Sequence, residues 1–365
     1  MCNYNHYYCV ILAGGIGSRF WPISRERLPK QFLDFTSLGK SFLRLTYDRM
    51  KAVIPEENIM VVSLTKYRDI VREQLPELQD GNLLLEEYNR NTAPAITYAA
   101  YSILQRDPQA VMVATPSDLV IGGTEQFNQT IVSALDYAHE SGDLITLGVV
   151  PTRPDPNFGY IQFKGEMQPG KPNKVKTFTE KPDADLAQVF IDSGEFLWNA
   201  GIFVWRVDTI RRELEKHAPE ITNLWEGWQN ILGTPAERAF VQRIYDSDCP
   251  RISIDYAVME KTDKAWVFPA NFKWADIGNW NSLFDYLAHH DDDGNASNLK
   301  GKDLLRDCSS NIMYSGHSRK LTAIRGLEEF IVIDTDDVLL ICPRDDDKFK
   351  DFLTELALPE YADYR

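Results

Sequence analysis

The chain has 365 residues, of which 39 are Lys or Arg and 54 are Asp or Glu, so its formal net charge is −15 at pH 7. A hydrophobic content of 44% and an aromatic content of 12% exclude a wholly disordered chain, because disorder requires few apolar and aromatic side chains. The acidic balance argues against a partner that is nucleic acid or an anionic membrane, since both are bound through positive fields. The length predicts two or three domains.

The cysteines and the N-terminus indicate the compartment. The chain has 5 scattered cysteines and no CxxC pair, so neither a disulfide framework nor a zinc site is expected. The first residues lack the basic start and apolar stretch of a signal peptide, and no run reaches the roughly 18 apolar residues of a membrane helix. The sequence therefore predicts a protein of the reducing cytoplasm with no membrane partner.

The first part of the chain alternates short apolar runs with amphipathic segments. The apolar runs predict strands at residues 7–13, 59–63, 83–86, 110–114 and 144–149. Thr92, with Pro94 in the first turn, predicts the N-cap of one helix, and a second helix is predicted to start at Thr124. This alternation is typical of an open, mostly parallel α/β sheet that binds ligands at the carboxyl ends of its strands.

After Pro151 the pattern changes to loops and short strands, which predicts an insertion lining one side of a cleft. Helices are expected near 209–217 and in the 220s and 230s. The acidic segment 291–296 predicts a boundary between a catalytic domain, 1–290, and a smaller domain, 291–365. Four short apolar runs between 311 and 341 predict a small β unit, and a terminal helix is expected over 348–356.

The first predicted strand runs into a glycine-rich loop, residues 14–19. Two familiar phosphate-binding motifs are not present. Gly39-Lys40-Ser41 has the ending of a Walker A motif, but Asp34 stands where its first glycine would be needed. A dinucleotide fingerprint starting at Gly15 fails because Phe20 replaces its last glycine. By itself such a loop is as often only a tight turn. Arg19 within it and Lys30 soon after favour a triphosphate site made of cations and backbone amides.

Two carboxylates stand in settings that suit a metal. Asp118 follows the predicted strand at 110–114, and Asp276 lies between Trp274 and Gly278. Mg²⁺ usually takes one or two carboxylates together with substrate phosphates and waters. A single Asp after a strand is nevertheless more often a turn or cap residue.

Ordered motifs then carry a resemblance over nearly the whole chain. They are LAGGIGSRFWPISR at 12–25, PKQF at 29–32, RNTAPA at 90–95, PSD at 116–118, EKP at 180–182, WNAGIF at 198–203, SIDYAVME at 253–260 and WADIGNW at 274–280. Together they resemble the sugar-1-phosphate nucleotidyltransferases, and within that family the mannose-1-phosphate guanylyltransferases. Because no motif lies beyond residue 280, the C-terminal segment is expected to serve packing or dimerisation.

The resemblance implies a fold and a reaction. The fold is a Rossmann-like nucleotidyltransferase domain with a mixed, mostly parallel sheet, followed by a small C-terminal β domain similar to a left-handed β-helix. The reaction joins α-D-mannose 1-phosphate and GTP into GDP-mannose and pyrophosphate with Mg²⁺. A homodimer is expected, since the short strands after residue 310 leave edges that a partner chain could cover.

The resemblance also implies roles for individual residues. The catalytic group comprises Arg19 and Lys30, which hold the leaving phosphates, and Asp118 and Asp276, which bind the metal. The nucleotide-binding residues are Leu12, Ala13, Gly14, Gly15, Gly17, Arg90, Asn91, Thr92 and Pro116. The sugar-phosphate residues are Gly159, Glu180, Lys181 and Asn199. Without the resemblance, Lys181 would be taken for an ordinary surface lysine.

Three positions depart from the family pattern. Leu119 replaces the frequent His after the metal-binding Asp, Ala200 replaces Ser in the sugar loop, and Glu87 replaces a common Pro. Two alternatives stay open, namely another hexose 1-phosphate or nucleotide as substrate, and a non-catalytic regulatory homologue. The intact charges disfavour the second. Longer relatives carry an isomerase domain after the β region, which is not expected before Arg365.

Overall fold

The computed structural model describes residues 4–15, 17–36, 38–168, 170–286, 291–345 and 348–365. Ile16 of the glycine-rich motif and residues 287–290 beside the predicted domain boundary lie outside these ranges. The chain divides into two compact units. The first comprises Met1–Gly14, Leu43–Ser117 and Ile121–Trp274, and the second comprises Gly15–Phe42, Asp118–Val120 and Ala275–Arg365. The division into domains 1–290 and 291–365 stays a prediction.

A nine-stranded mixed sheet forms the core of the first unit. The strands up to residue 276 are β1 Tyr7–Ala13, β2 Ile59–Leu64, β3 Leu83–Glu86, β4 Val111–Pro116, β5 Leu119–Gly122, β6 Leu144–Val149, β7 Tyr160–Phe163, β8 Asn173–Thr179, β9 Phe196–Arg206, β10 Ala265–Pro269 and β11 Lys273–Asp276. The sheet order is β3-β2-β1-β4-β9-β6-β10-β8-β7, and all its strands except β8 and β9 run in one direction. The predicted α/β class with a mixed sheet is confirmed.

Helices alternate with these strands along the chain. They are α1 Phe42–Met50, α2 Arg68–Gln74, α3 Thr92–Arg106, α4 Thr124–Ser141, α5 Ala184–Ser193, α6 Val207–His217, α7 Pro219–Thr222 and α8 Glu237–Asp246. Of these, α3, α4, α5, α6 and α8 pack against strands of the sheet. The predicted starts of α3 and α4 are confirmed, but the N-cap of α3 is Asn91 and not Thr92. The prediction of a helix in the 220s and 230s is wrong. The short helix α7 ends at Thr222, and 3-10 turns follow it until α8 begins at Glu237.

The segment after Pro151 was predicted to be an insertion beside the sheet, but its strands are part of the sheet. Strands β7 and β8 extend its edge, and β9 runs antiparallel between β4 and β6. The sugar loop expected around Ala200 is therefore part of β9. This strand lies in the interior of the sheet, and most of its side chains are buried. Gly201 has φ +72°, at a place where the pairing of β6 and β9 shifts register.

The second unit carries the C-terminal elements. They are α9 Trp280–Tyr286, β12 Ala296–Leu299, β13 Lys302–Arg306, β14 Ile312–Ser315, β15 Leu321–Arg325, β16 Phe330–Asp334, β17 Leu339–Pro343 and α10 Phe349–Glu355. Strands β12, β14 and β16 pair in parallel, as do β13 and β15, while β17 joins β16 antiparallel. Throughout the described ranges, no helix is both long and apolar enough to cross a membrane.

Candidate active site

The glycine-rich loop of the second unit fits closely around Lys30. Gly17 has φ +65°, and a Cβ atom on it would collide with the Cβ of Lys30. Only glycine adopts this backbone conformation without strain while leaving room for the lysine. Beside it, Gln31 Nε2 donates to the carbonyl oxygen of Gly15 at 2.8 Å. The loop and the 3-10 turn Lys30–Phe32 therefore stabilise each other's conformation.

Lys30 is buried, and two carboxylates face its side-chain nitrogen. Its Nζ donates to Oδ2 of Asp118 at 2.8 Å and lies 3.8 Å from Oδ1 of Asp276. The aromatic faces of Phe20 and Phe42 lie 5.6 and 5.4 Å from the same ammonium. A buried lysine requires such partners, because desolvation of an unpaired charge is costly.

The two carboxylates come together through the ribbon of β5 and β11. These strands form a two-stranded sheet, and a Cβ on Gly122, at the end of β5, would lie 3.3 Å from the Cβ of Lys273, at the start of β11. The start of β5 and the end of β11 therefore share the other end of the ribbon. Asp118, directly before β5, and Asp276, the last residue of β11, are thereby placed side by side.

Arg19 completes this group. It lies exposed in the 3-10 turn Ser18–Phe20, and its Nη1 would be 3.8 Å from a Cβ on Gly278. Because Gly278 follows Asp276 by two residues, the guanidinium lies beside the turn after that carboxylate. The structure thus brings all four predicted catalytic residues into one group.

The donor chemistry of this group fits a hard divalent cation. Asp118 and Asp276 converge on a single cation, the Lys30 ammonium, and both carboxylates remain about one-third exposed, at 34% and 38%. Among the described residues, no cluster of three or more His, Cys, Asp or Glu side chains suits a metal. Two partly exposed carboxylates could therefore hold a hard divalent cation, since such ions are commonly bound by one or two carboxylates together with water and phosphate oxygens.

The predicted nucleotide-binding residues of the first unit lie at the ends of neighbouring strands. The carbonyl oxygen of Leu12 accepts from the amide of Ser117 at 3.1 Å, and that of Ala13 accepts from the Ser63 hydroxyl at 3.0 Å. The carbonyl oxygen of Gly14 accepts from Asn89 Nδ2 at 2.7 Å. These bonds fix the backbone of β1 where the glycine-rich loop begins.

Pro116 closes the end of β4 in the same unit. A Cβ on Gly201 would lie 3.5 Å from its ring, so β9 approaches β4 closely at this point.

The N-terminus of α3 is anchored by the segment 252–255. Asn91, at φ +70°, caps the helix by accepting from the Thr92 amide at 2.8 Å. The Thr92 hydroxyl accepts from the amide of Ile254 at 2.9 Å, and Arg90 donates to the Tyr245 carbonyl oxygen at 3.2 Å. Side chains that were predicted to bind the nucleotide are thus partly engaged in holding the helix terminus.

The predicted sugar-phosphate residues surround Asn199 on β9. Its amide donates to the carbonyl oxygen of Gly159 at 2.8 Å, and a Cβ on Gly159 would overlap Oε2 of Glu180. Oδ1 of Asn199 accepts from the Thr146 hydroxyl at 2.9 Å, and its Nδ2 donates to Asp255 at 2.9 Å. The Asn199 side chain is therefore held in one orientation, and Gly159 leaves space for Glu180.

Glu180, Lys181 and Asp255 form a compact charged cluster beside Asn199. Lys181 has φ +49° and its ammonium pairs with the Glu180 carboxylate. Burial lowers the pKa of Lys181, but the hydrogen bond to Glu180 and its negative charge raise it by more, so the net shift is upward. Burial, followed by the negative charge of Glu180, raises the pKa of Asp255. The cluster offers a cation, half exposed, next to hydrogen-bonding groups.

Two buried acids had no role predicted from the sequence. Asp255 lies within the SIDYAVME motif, and its contact with Asn199 could not be read from a separation of 56 residues. Glu86 ends β3 and accepts from the Tyr245 hydroxyl, and its Oε2 would be 3.6 Å from a Cβ on Gly14. Burial raises the pKa of Glu86 to about 8. A charged residue ending an apolar run was the available signal, but it is equally typical of an exposed strand end.

Comparison with known proteins identifies the family. The model of the family described as nucleotidyl transferase matches residues 8–293. The chain belongs to the nucleotidyl transferase family. The matched range contains every motif that carried the resemblance, together with all predicted site residues.

Individual relatives agree with the narrower resemblance. The chain is 38% identical over 339 residues to a mannose-1-phosphate guanylyltransferase of Salmonella montevideo, covering 91% of this chain and 70% of the relative. It is 35% identical over 343 residues to the alginate biosynthesis protein AlgA of Pseudomonas aeruginosa, covering 92% and 69%. The predicted resemblance to mannose-1-phosphate guanylyltransferases is confirmed, and the chain is a nucleotidyltransferase.

A solved structure agrees over nearly the whole chain. The crystal structure described as mannose-1-phosphate geranyltransferase from Thermus thermophilus has a TM-score of 0.84 and 29% identity, covering 97% of this chain and all of that one. The similarity therefore includes the C-terminal β strands as well as the nine-stranded sheet.

Proposed function

We propose that this nucleotidyltransferase transfers GMP from GTP to α-D-mannose 1-phosphate, giving GDP-mannose and pyrophosphate. The observation that carries the proposal is the group formed by Lys30, Asp118 and Asp276 beside the glycine-rich loop, with Arg19 at its edge. Cations and carboxylates in this arrangement suit a polyphosphate, and the similarity to mannose-1-phosphate guanylyltransferases narrows the substrates.

The chemistry requires positioning more than proton transfer. A phosphate oxygen of the sugar phosphate attacks the α-phosphorus of GTP in line, the new P–O bond forms, and the bond to pyrophosphate breaks. A phosphate monoester dianion is already a nucleophile, so the reaction needs no general base. Arg19 and Lys30 neutralise the leaving phosphates, and Lys181 orients the attacking phosphate.

Asp118 and Asp276 would hold Mg²⁺ in this proposal. The ion, when bound, supplies positive charge to phosphate oxygens. Lys30, which pairs with both carboxylates here, would then be available to a phosphate oxygen. The nucleotide is assigned to Leu12, Ala13, Gly14, Gly15, Gly17, Arg90, Asn91, Thr92 and Pro116. The sugar phosphate is assigned to Gly159, Glu180, Lys181 and Asn199.

The assembly and compartment are proposed on separate grounds. Exposed apolar side chains on the C-terminal strands, among them Leu321 at 58% and Leu339 at 61%, support a homodimer through this region. The parallel pairing of alternate strands supports a left-handed β-helix-like winding. The described cysteines are thiols, which supports the cytoplasm. Light scattering of the purified protein tests the dimer, and a monomer mass would contradict it.

A pyrophosphate-release panel tests the reaction. It crosses four nucleoside triphosphates with several hexose 1-phosphates in the presence of Mg²⁺. GTP with mannose 1-phosphate should give the highest kcat/KM, because a base site left with unpaired polar groups discriminates by orders of magnitude. If UTP or dTTP with glucose 1-phosphate is preferred, the substrate assignment is wrong although the nucleotidyltransferase class stands.

A further inference from the structure

The C-terminal residues of the second unit contact the segment that follows Arg19. Trp21 Nε1 donates to the carbonyl oxygen of Tyr364 at 2.7 Å, and its ring lies edge-on to Phe352 with centroids 6.1 Å apart. Helix α10 packs against the turn Ser18–Phe20. The chain terminus is therefore in direct contact with the turn that carries a proposed catalytic residue.

A bidentate ion pair forms a second contact in the same place. Arg25 Nη1 and Nη2 donate to the two carboxylate oxygens of Asp337 at 2.9 and 2.6 Å, while its Nε donates to the carbonyl oxygen of Pro22 at 2.8 Å. Arg25 is 5% exposed, and its hydrogen bonds hold the pKa of Asp337 below the usual range. Such a fork fixes orientation as well as distance.

Between these contacts the turn is held by its own hydrogen bonds. The amides of Phe20 and Trp21 donate to the carbonyl oxygens of Gly17 and Ser18 at 3.1 and 3.0 Å. The amides of Ile23 and Ser24 both donate to the carbonyl oxygen of Phe20, at 2.9 and 3.0 Å. These hydrogen bonds link residues 17–24 into a continuous series of turns that runs from Gly17 through Arg19 to the residue before Arg25.

A further C-terminal residue holds the helix after Asp276. Arg344 donates to Oδ1 of Asn281 at 3.0 Å, and its guanidinium lies 3.7 Å from the ring centroid of Phe284. Both residues belong to α9, which starts four residues after Asp276. The C-terminal segment thus contacts both the residues after Arg19 and the helix after Asp276.

We propose that Asp337, Phe352 and Tyr364 are positioning residues for Arg19. They fix the segment 18–25 so that the exposed guanidinium of Arg19 is directed at the anion that it binds. This goes beyond packing or dimerisation, the role expected of the C-terminal segment. It rests on the proposed function only in taking the anion to be the leaving phosphates of the nucleotide.

The test uses Asp337→Ala in the full chain, with Asp336→Ala as its matched control, because Asp336 is 97% exposed and adjacent. Asp337→Ala should raise the KM for GTP about tenfold, which corresponds to about 1.4 kcal/mol. The KM for mannose 1-phosphate should change less than about twofold. Asp337→Glu, which retains the carboxylate, should recover part of the loss, and Arg25→Ala with Asp337→Ala should be no worse than Arg25→Ala alone.

Hydrogen exchange gives a readout that does not depend on any substrate. In Asp337→Ala, the amides of Phe20, Trp21, Ile23 and Ser24 should exchange faster than in the wild type and in Asp336→Ala. Unchanged exchange together with an unchanged KM for GTP would overturn the proposal. Should the wild type prefer another nucleotide, the proposed function fails separately, and the same comparison is made with that nucleotide.

Discussion

Gly17 lies so close to Lys30 that residue 17 has no room for a side chain: a Cβ atom on residue 17 would collide with the Cβ of Lys30 and lie 3.3 Å from its backbone nitrogen. The lysine is in turn held by Asp118 at 2.8 Å. Lys30 can therefore hold its ammonium in this position only because residue 17 is glycine. This effect is separate from any binding of phosphate by the backbone amide of Gly17.

Gly17→Ala should reduce kcat/KM at least about tenfold, since Lys30 must move to make room. Gly39→Ala is the matched control, because Gly39 has a similar φ of +72° but open space around it. Both variants carry the strain of a left-handed alanine, about 1 kcal/mol. Steady-state kinetics and urea unfolding of the pair separate strain from displacement. Equal kinetic losses in both variants would show that displacement of Lys30 is not the cause.

Asp118→Asn and Asp276→Asn should each lower kcat about a hundredfold or more at saturating Mg²⁺ and substrates, because each removes a negative charge proposed to hold the metal. A hundredfold effect corresponds to about 2.7 kcal/mol. Asp303→Asn, an exposed carboxylate on β13 of the same unit, is the control. A near-normal kcat in either Asp118→Asn or Asp276→Asn would make that carboxylate a structural residue.

Lys181→Ala should raise the KM for mannose 1-phosphate and leave the KM for GTP nearly unchanged. The reason is that its ammonium, paired with Glu180, belongs to the cluster around Asn199. Lys176→Ala, at an exposed position of β8, removes an equal charge and should change neither KM. Initial rates with each substrate varied in turn provide the measurement. Weaker GTP binding with unchanged sugar-phosphate binding would move Lys181 to the nucleotide.

Glu86→Gln should make stability less dependent on pH. With its pKa raised by burial to about 8, the folded Glu86 keeps its proton, whereas an unfolded Glu ionises at about pH 4.3. The native state thus binds more protons, and the stability of the wild type falls as pH rises between these values. Glutamine stays neutral and can still accept from Tyr245.

Urea unfolding at pH 5.5 and pH 8 checks this prediction. The free energy of unfolding of Glu86→Gln, relative to the wild type, should be more favourable at pH 8 than at pH 5.5. Asp255 has a pKa shifted in the same direction, but it is present in both proteins and cancels. Glu87→Gln, at the neighbouring half-buried position, is the control. Equal differences at the two pH values would show that Glu86 ionises normally.

Local patterns in the sequence predicted many of the strands of the fold. The runs that predicted strands at 7–13, 83–86 and 144–149 match β1, β3 and β6, because uninterrupted apolar segments bounded by polar residues have few other stable outcomes. The residues alone suggested Arg19 and Lys30 for phosphate and Asp118 and Asp276 for a metal. A single Asp after a strand is more often a turn residue, so the ordered set of family motifs was needed to favour the metal role.

Interactions between distant parts of the chain could not be predicted. Strand β9 was taken for a loop, since its Asn199, Ala200 and Gly201 look like turn residues until β4 and β6 bury them. Asn91 replaced Thr92 as the cap, because the Thr92 hydroxyl is engaged by the amide of Ile254. The ion pair of Arg25 with Asp337 joins residues 312 apart, a separation at which charge patterns carry no information.

The second unit is built from three stretches of chain that are far apart in sequence, and this has a consequence for biosynthesis. The nine-stranded sheet is complete once Pro269 has been synthesised, but Asp276 joins Lys30 and Asp118 only afterwards, and Asp337 and Tyr364 reach Trp21 and Arg25 later still. A chain synthesised only as far as Pro269 therefore contains every strand of the sheet but lacks the Asp276 carboxylate. All the strands of the sheet are thus synthesised before the residues that complete the group around Lys30.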